Sequence, residues 1–143
     1  MTIDANFLDN LSNDLKRIVS DASEAIMGVY EKNTFDTEIK SDGSPVTEAD
    51  ESANKIIIQS LNIISPDISI VSEETYDKSA EIPHEPYWLV DPLDGTKEFI
   101  NKSKDFTVNI AVIKESEPVY GIICAPGTGQ FWSGSWFQRS LPT

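Results

Sequence analysis

The sequence contains only one cysteine, Cys124, and only one histidine, His84. A single cysteine excludes an intrachain disulfide, and its position in an apolar run favours a buried core thiol. The histidine lies in a polar stretch and has no cysteine or histidine partner, so the pattern does not indicate a zinc site of the usual nitrogen and sulfur ligands. Any chemistry must come from other side chains.

Basic residues are also scarce. The chain has 11 lysines and arginines against 24 aspartates and glutamates, which gives a formal net charge of -13 over 143 residues. Such a surface repels nucleic acid and anionic membranes, so neither is an expected partner. A small phosphorylated substrate would be repelled too, unless cations bridged it to the protein. The acidity fits a metal-dependent enzyme, although solvated surface acids explain it about as well.

Long apolar runs are absent from the sequence. No run reaches the roughly 18 residues of a membrane span, and the amino terminus has no basic segment followed by an apolar one. The default expectation is a soluble cytoplasmic protein without integral membrane association, and the oligomeric state stays open. The length fits one domain or a piece of one.

Apolar periodicity predicts a helix, a short strand, a second helix and then several strands. A helical stripe covers residues 7 to 32, and a second helix is expected after Thr47, because Thr47 and Asp50 resemble a capping box. Alternating or continuous apolar runs predict strands over residues 34–40, 68–71, 87–90, 106–114, 119–125 and 130–133. This order predicts an α+β fold, with helices layered on a largely antiparallel sheet.

Carboxylates lie at the ends of three of these elements. Asp50 begins the second helix, Glu73 and Glu74 follow a short strand, and Asp91 and Asp94 end the central strand. A carboxylate at the end of a buried strand is costly to desolvate, and a hard metal ion is its usual partner. Singly, these residues have simpler interpretations as helix caps, turns and solvated loops. Their combination indicates a magnesium site.

Residues 91–96, Asp-Pro-Leu-Asp-Gly-Thr, combine several features of a metal and phosphate site. Asp91 is the natural bridge between two ions, and the Leu93 carbonyl can act as a neutral ligand. A helix starting here would offer free N–H groups to a phosphate. If Thr96 lies near Asp50, the two form a hydroxyl–carboxylate pair able to orient or deprotonate a metal-bound water.

This stretch, preceded by Trp88-Leu-Val and followed by Phe99, resembles the first signature of the inositol monophosphatase superfamily of lithium-sensitive, magnesium-dependent phosphatases. Two neighbouring segments, Lys-Glu-Phe-Ile at 97–100 and Phe-Thr-Val-Asn-Ile-Ala at 106–111, are more similar to its CysQ-type 3′(2′),5′-bisphosphate nucleotidases, because inositol monophosphatases usually carry Thr-Asn-Phe at the first place. The segments at 44–50 and 72–74 also fit the CysQ pattern. The resemblance covers residues 7 to 133.

The resemblance implies a set of site residues and a reaction. The implied magnesium ligands, for two or three ions, are Asp50, Glu73, Asp91, the Leu93 carbonyl and Asp94. The implied catalytic residues are Asp50, Glu73 and Thr96, with Asp50 and Thr96 activating the attacking water. The implied substrate contacts are Glu73, Leu93, Asp94, Gly95 and Thr96. The reaction would be in-line attack of water on the 3′-phosphate of 3′-phosphoadenosine 5′-phosphate, giving AMP and phosphate. The alternatives are a sugar phosphatase similar to inositol monophosphatase and a non-catalytic metal-binding fragment.

Members of this superfamily are about twice as long, and the resemblance implies a second α/β half with a further aspartate ligand. Residues 1–143 are therefore expected to form a single amino-terminal α+β metal-binding domain of a normally two-part phosphatase, without the carboxyl-terminal half. Such a chain would be a fragment, a truncated gene product or an artificially shortened protein. Its activity is expected to be impaired, and Trp132, Trp136 and Phe137 are expected to form an exposed apolar patch.

Overall fold

The computed structural model describes residues 5–76, 79 and 81–135. Within these ranges the chain forms helices that pack on one face of a twisted sheet, together with a small separate hairpin. In chain order the elements are α1 (Ala5–Tyr30), β1 (Thr37–Ile39), β2 (Pro45–Thr47), α2 (Glu48–Ile64), β3 (Ser69–Ser72), β4 (Tyr87–Asp94), α3 (Thr96–Ile100), β5 (Thr107–Lys114), β6 (Glu117–Ala125) and β7 (Gln130–Ser135).

The main sheet has the strand order β3-β4-β5-β6-β7. Strand β3 runs parallel to β4, and the other neighbours are antiparallel. The predicted α+β architecture is confirmed. The parallel pair matters for the site, because it brings the carboxyl ends of β3 and β4 to the same edge of the sheet.

The core lies between the helices and one face of this sheet. Helix α1 contacts β5 and β6, whereas α2 contacts α1 and β4. Period-two alternation in the strands and the helical stripe of α1 place their apolar residues on these facing surfaces, as predicted. The fully buried members include Leu15, Ile18, Ala22, Ile26, Ile57, Leu61, Trp88, Val90, Val108 and Val112.

The opposite face of the sheet exposes large apolar side chains. Leu89, Ile123 and Trp132 are 42%, 42% and 55% exposed, and they belong to strands β4, β6 and β7 of this sheet. Exposure of Trp132 agrees with the expected patch. Trp136 and Phe137, the other expected members, lie outside the described residues.

The single cysteine and the single histidine lie in the environments that their sequence context indicates. Cys124 is buried, and its Sγ accepts a hydrogen bond from the Ser23 hydroxyl at 3.1 Å. His84 is exposed. In the part of the chain that the structure describes, no helix is both long enough and apolar enough to cross a bilayer.

One short strand escaped prediction. Residues 45–47 form β2 and pair antiparallel with β1. The strands of this hairpin are three residues long, which is too short to display a period-two pattern. The pairing places Asp36, directly before β1, beside the start of α2, where the Glu48 N–H donates to the Asp36 carbonyl at 3.0 Å.

Candidate metal and phosphate site

Helix α2 begins at the site, and its capping interaction fixes Asp50. Thr47 is the N-cap, and its Oγ1 accepts a hydrogen bond from the Ala49 N–H at 3.1 Å. In return, Oδ2 of Asp50 accepts hydrogen bonds from the Thr47 N–H at 2.8 Å and from the Thr47 hydroxyl at 2.7 Å. The predicted capping box is therefore present. Asp50 is completely buried.

The second carboxylate oxygen of Asp50 faces the 91–96 segment. Its Oδ1 accepts a hydrogen bond from the Thr96 hydroxyl at 2.9 Å, and Thr96 Oγ1 lies 3.4 Å from the Leu93 carbonyl oxygen. The structure thus brings Asp50 and Thr96 together across 46 residues of sequence. A buried carboxylate with hydrogen-bond donors on both oxygens is held in one orientation.

Strand β4 does not stop at Asp91 but continues through Asp94 with an irregular register. Asp91 pairs with Asn109 and Asp94 with Thr107, so three steps along β4 match two along β5. This extra residue is a β-bulge, which turns the strand and re-aims its side chains. Asp91 is half-buried and Asp94 is exposed.

Gly95 makes the following turn possible. Its φ of 100° lies in the left-handed region, and a Cβ added there would stand 2.7 Å from the carbonyl oxygen of Asp105. Only glycine fits such a position without displacing backbone. The short helix α3 starts directly afterwards, at Thr96.

Glu73 reaches the site from β3. Because β3 and β4 are parallel and in register, with Ser72 opposite Val90, the next residues of the two strands are Glu73 and Asp91. The Glu73 N–H donates to the Val90 carbonyl at 3.0 Å. The neighbouring Glu74 forms an ion pair with Lys40, with Nζ and Oε2 3.2 Å apart.

These residues share one open cavity of about 260 Å³. Its walls include Glu73, Glu74, Asp91, Leu93, Asp94, Gly95 and Thr96, together with Lys40 and Lys97. Six of the seven site residues implied by the sequence therefore meet at this cavity. Asp50, the seventh, lies behind its wall, and Thr96 connects it to the cavity.

The negative charge in the cavity is only partly compensated. Burial, and then the negative charges of Asp94 and Glu73, raise the pKa of Asp91 from 3.8 to about 6, against the opposing effect of a backbone hydrogen bond from Leu93. Burial also raises the pKa of Glu74, although its hydrogen bond to Lys40 opposes the change. A cation in the cavity would relieve both effects.

The donor set fits magnesium by its chemistry. In the described part of the chain, no three histidine, cysteine, aspartate or glutamate side chains gather as a ready-made metal cluster. Magnesium does not require one, because it usually binds one or two carboxylates and completes its shell with water and substrate phosphate. The cavity offers Glu73, Asp91, Asp94 and the Leu93 carbonyl, all hard oxygen donors.

Sequence reasoning missed several residues at this site. It gave no role to Lys40 or Lys97, which line the cavity, or to Asn54, which is buried and hydrogen-bonded to Ser72. The available signal for Asn54 was a polar residue four positions after Asp50, on the same face of the helix.

Comparisons with known proteins identify relatives of the chain. The chain is similar to the 3'(2'),5'-bisphosphate nucleotidase CysQ of Buchnera aphidicola subsp. Acyrthosiphon pisum, at 41% identity over 130 residues that cover 85% of this chain and 49% of that protein. The chain spans about half the length of the curated relatives it matches.

Solved structures show the same fold. CysQ from Bacteroides thetaiotaomicron matches with a TM-score of 0.68 and 36% identity, over 85% of this chain and 46% of that one. An IMPase/NADP phosphatase complexed with Mg²⁺ and phosphate matches in fold with a TM-score of 0.76 and 20% identity, over 90% of this chain and 49% of that one. The model of the inositol monophosphatase family matches residues 8–141. The chain therefore belongs to the inositol monophosphatase family.

Proposed function

We propose that residues 1–143 form the amino-terminal, metal-binding part of a magnesium-dependent phosphatase that removes the 3′-phosphate of 3′-phosphoadenosine 5′-phosphate. The products are AMP and phosphate. The observation that carries the proposal is the Asp50–Thr96 hydrogen bond of 2.9 Å beside a cavity rich in carboxylates. The choice of substrate is supported by the similarity to proteins named as CysQ nucleotidases.

Glu73, Asp91, Asp94 and the Leu93 carbonyl are the proposed ligands for two or three Mg²⁺ ions, with Asp50 sharing a further ion. Bound magnesium would neutralise these carboxylates and the substrate phosphate, and would stabilise the charge that develops during phosphoryl transfer. Without a cation, Glu73, Asp91 and Asp94 would repel the phosphate. The cavity can therefore bind its proposed substrate only together with metal.

The proposed role of Asp50 and Thr96 is to activate water. The Thr96 hydroxyl donates to Oδ1 of Asp50 at 2.9 Å, so the lone pairs of Thr96 Oγ1 are left to accept a proton from water in the cavity. As that proton arrives, Asp50 Oδ1 can accept the hydroxyl proton of Thr96. The oxygen of the water bonds to phosphorus, the bond between phosphorus and the 3′-oxygen breaks, and the 3′-oxygen takes a proton from solvent water to give the 3′-hydroxyl of AMP. Residues 93–96 border the same cavity and are the proposed phosphate contacts.

Phosphate release by the 143-residue chain tests the proposal. 3′-Phosphoadenosine 5′-phosphate and inositol monophosphate are compared with Mg²⁺, and with and without Li⁺. We expect slow, lithium-sensitive release from the nucleotide and less from the inositol phosphate. Thr96→Val should abolish release, whereas Thr128→Val, on the exposed turn before β7, should not. Preference for inositol monophosphate would refute the proposed substrate.

Two further outcomes distinguish the catalytic from the non-catalytic hypothesis. Magnesium binding without release from either substrate would favour the metal-binding fragment. Absence of both magnesium binding and phosphate release would refute the metal site itself.

A cytoplasmic location is also proposed, and cell fractionation tests it.

A further inference from the structure

A buried polar pair links α2 to the end of β3. The Ser72 hydroxyl donates to Oδ1 of Asn54 at 2.5 Å, and the two residues are 18 positions apart in the sequence. Asn54 is 7% exposed and Ser72 is 1% exposed. Polar groups buried in this way are costly unless they are paired, and a well-packed apolar pair would stabilise the fold about equally well. The pair therefore calls for a role beyond stability.

Ser72 is the first residue of the turn that carries Glu73 and Glu74. Its carbonyl accepts hydrogen bonds from the N–H groups of Thr75 at 3.2 Å and Tyr76 at 2.7 Å. Its Oγ accepts a further hydrogen bond from the Glu74 N–H at 3.4 Å. The orientation of Ser72 therefore sets the path of the chain through the two glutamates.

Asn54 lies on α2 one turn after Asp50, so both side chains leave the same face of the helix. Asp50 contacts Thr96, at the end of the 91–96 segment, and Asn54 contacts Ser72, directly before Glu73. One turn of a single helix thus holds the two segments that supply the carboxylates of the cavity. A shift of either contact would change the separation between Glu73 and Asp91.

We propose that Asn54 and Ser72 are positioning residues, which fix Glu73 relative to Asp91 so that both can bind the same magnesium site. The inference rests on the metal site of the proposed function. Residues that orient metal ligands through hydrogen bonds typically change metal affinity by about 10- to 100-fold when replaced. We expect a loss of about 10-fold here, because the carboxylates themselves remain.

Ser72→Ala and Asn54→Leu test the pair, alone and combined. Magnesium affinity is measured by calorimetry, stability by thermal unfolding without metal, and local order by amide hydrogen exchange at residues 74–76. Each single variant should weaken magnesium binding about 10-fold. The double variant should bind magnesium about as tightly as the single variant with the lower affinity, because both substitutions break the same contact. Ser72→Thr keeps the hydroxyl and should retain most of the magnesium affinity of the unmodified chain.

Ser65→Ala is the matched control. Ser65 is the C-cap of α2 and is completely buried, and its hydroxyl oxygen accepts a hydrogen bond from Nε1 of Trp88 at 2.9 Å. The variant therefore removes a comparable contact between the same helix and the same sheet, but at the end away from the cavity. It should lower the melting temperature like Ser72→Ala without changing magnesium affinity or exchange at residues 74–76.

The results separate this inference from the proposed function. If Ser65→Ala weakens magnesium binding as much as Ser72→Ala, the pair is merely structural and the inference is overturned. If the unmodified chain binds no magnesium, the proposed metal site fails. Hydrogen exchange then decides whether the Asn54–Ser72 pair positions the turn. Faster exchange at residues 74–76 in Ser72→Ala alone would support positioning of the turn, and unchanged exchange would overturn it.

Discussion

Asp91→Asn is expected to make the metal-free protein more stable while removing its response to magnesium. The structure raises the pKa of Asp91 from 3.8 to about 6, chiefly by burial and then by the charges of Asp94 and Glu73. A shift of about two units corresponds to about 3 kcal/mol. Because Asp91 is partly exposed, solvent screening reduces the effect, and we expect a gain of about 1–2 kcal/mol.

The gain should depend on pH in a defined direction. The unfolded chain releases the Asp91 proton near pH 3.8, whereas the folded chain releases it near pH 6. Between these values the folded state binds more protons, so the free energy of unfolding falls as the pH rises through this window. The penalty is complete above about pH 6 and disappears below about pH 4. The asparagine variant avoids it, because its amide does not titrate.

Thermal unfolding in EDTA at pH 7.5 and at pH 4 measures the effect. At pH 7.5 the variant should melt several degrees above the unmodified chain, and at pH 4 the difference should disappear. Added Mg²⁺ should raise the melting temperature of the unmodified chain, because a ligand that binds only the folded state stabilises it, and should raise that of the variant much less. Asp21→Asn, on the exposed side of α1, controls for the change in net charge. A variant less stable than the unmodified chain at pH 7.5 in EDTA would refute the electrostatic account.

Three further substitutions address separate contacts of the site. Thr96→Val leaves Oδ1 of the buried Asp50 without its donor and should lower the free energy of unfolding in urea by about 1–3 kcal/mol, whereas Thr96→Ser should retain most of it. Gly95→Ala places a Cβ 2.7 Å from a backbone oxygen at positive φ and should cost at least about 1–2 kcal/mol in the same assay, with a near-normal stability counting against the turn described here. Lys40→Met removes the partner of Glu74 and should raise the pKa of Glu74 further. The variant should therefore lose more free energy of unfolding at pH 7 than at pH 4. A loss of stability that is independent of pH would contradict this.

The central part of the site is predictable from the sequence because its members are adjacent in the chain. Asp91, Leu93, Asp94 and Thr96 fall within six consecutive residues, so their spacing alone places them on one strand end and turn. Asp50 is marked by its capping pattern. The roles of these residues in binding metal and substrate stay predictions, which the experiments above address.

The contacts that organise the site are less accessible to sequence reasoning. The neighbouring positions of Glu73 and Asp91 depend on parallel pairing of β3 with β4, and the amino-acid pattern predicts strands without specifying which strands pair. The Asn54–Ser72 contact joins residues 18 positions apart, and it requires knowledge of how α2 lies on the sheet. Periodicity reveals the face of an element, but not the element that covers it.

Asp50 shows why stability and function cannot be separated by a substitution at that residue. Its Oδ2 completes the capping box with Thr47, and its Oδ1 holds the Thr96 hydroxyl. Asp50→Ala would lose both, so any loss of phosphate release would mix a frayed helix with missing chemistry. Thr96→Val, by contrast, leaves the two Thr47 contacts of Asp50 intact. If Thr96→Val folds with its α2 cap intact yet releases no phosphate, the loss belongs to the Asp50–Thr96 pair and not to the start of the helix.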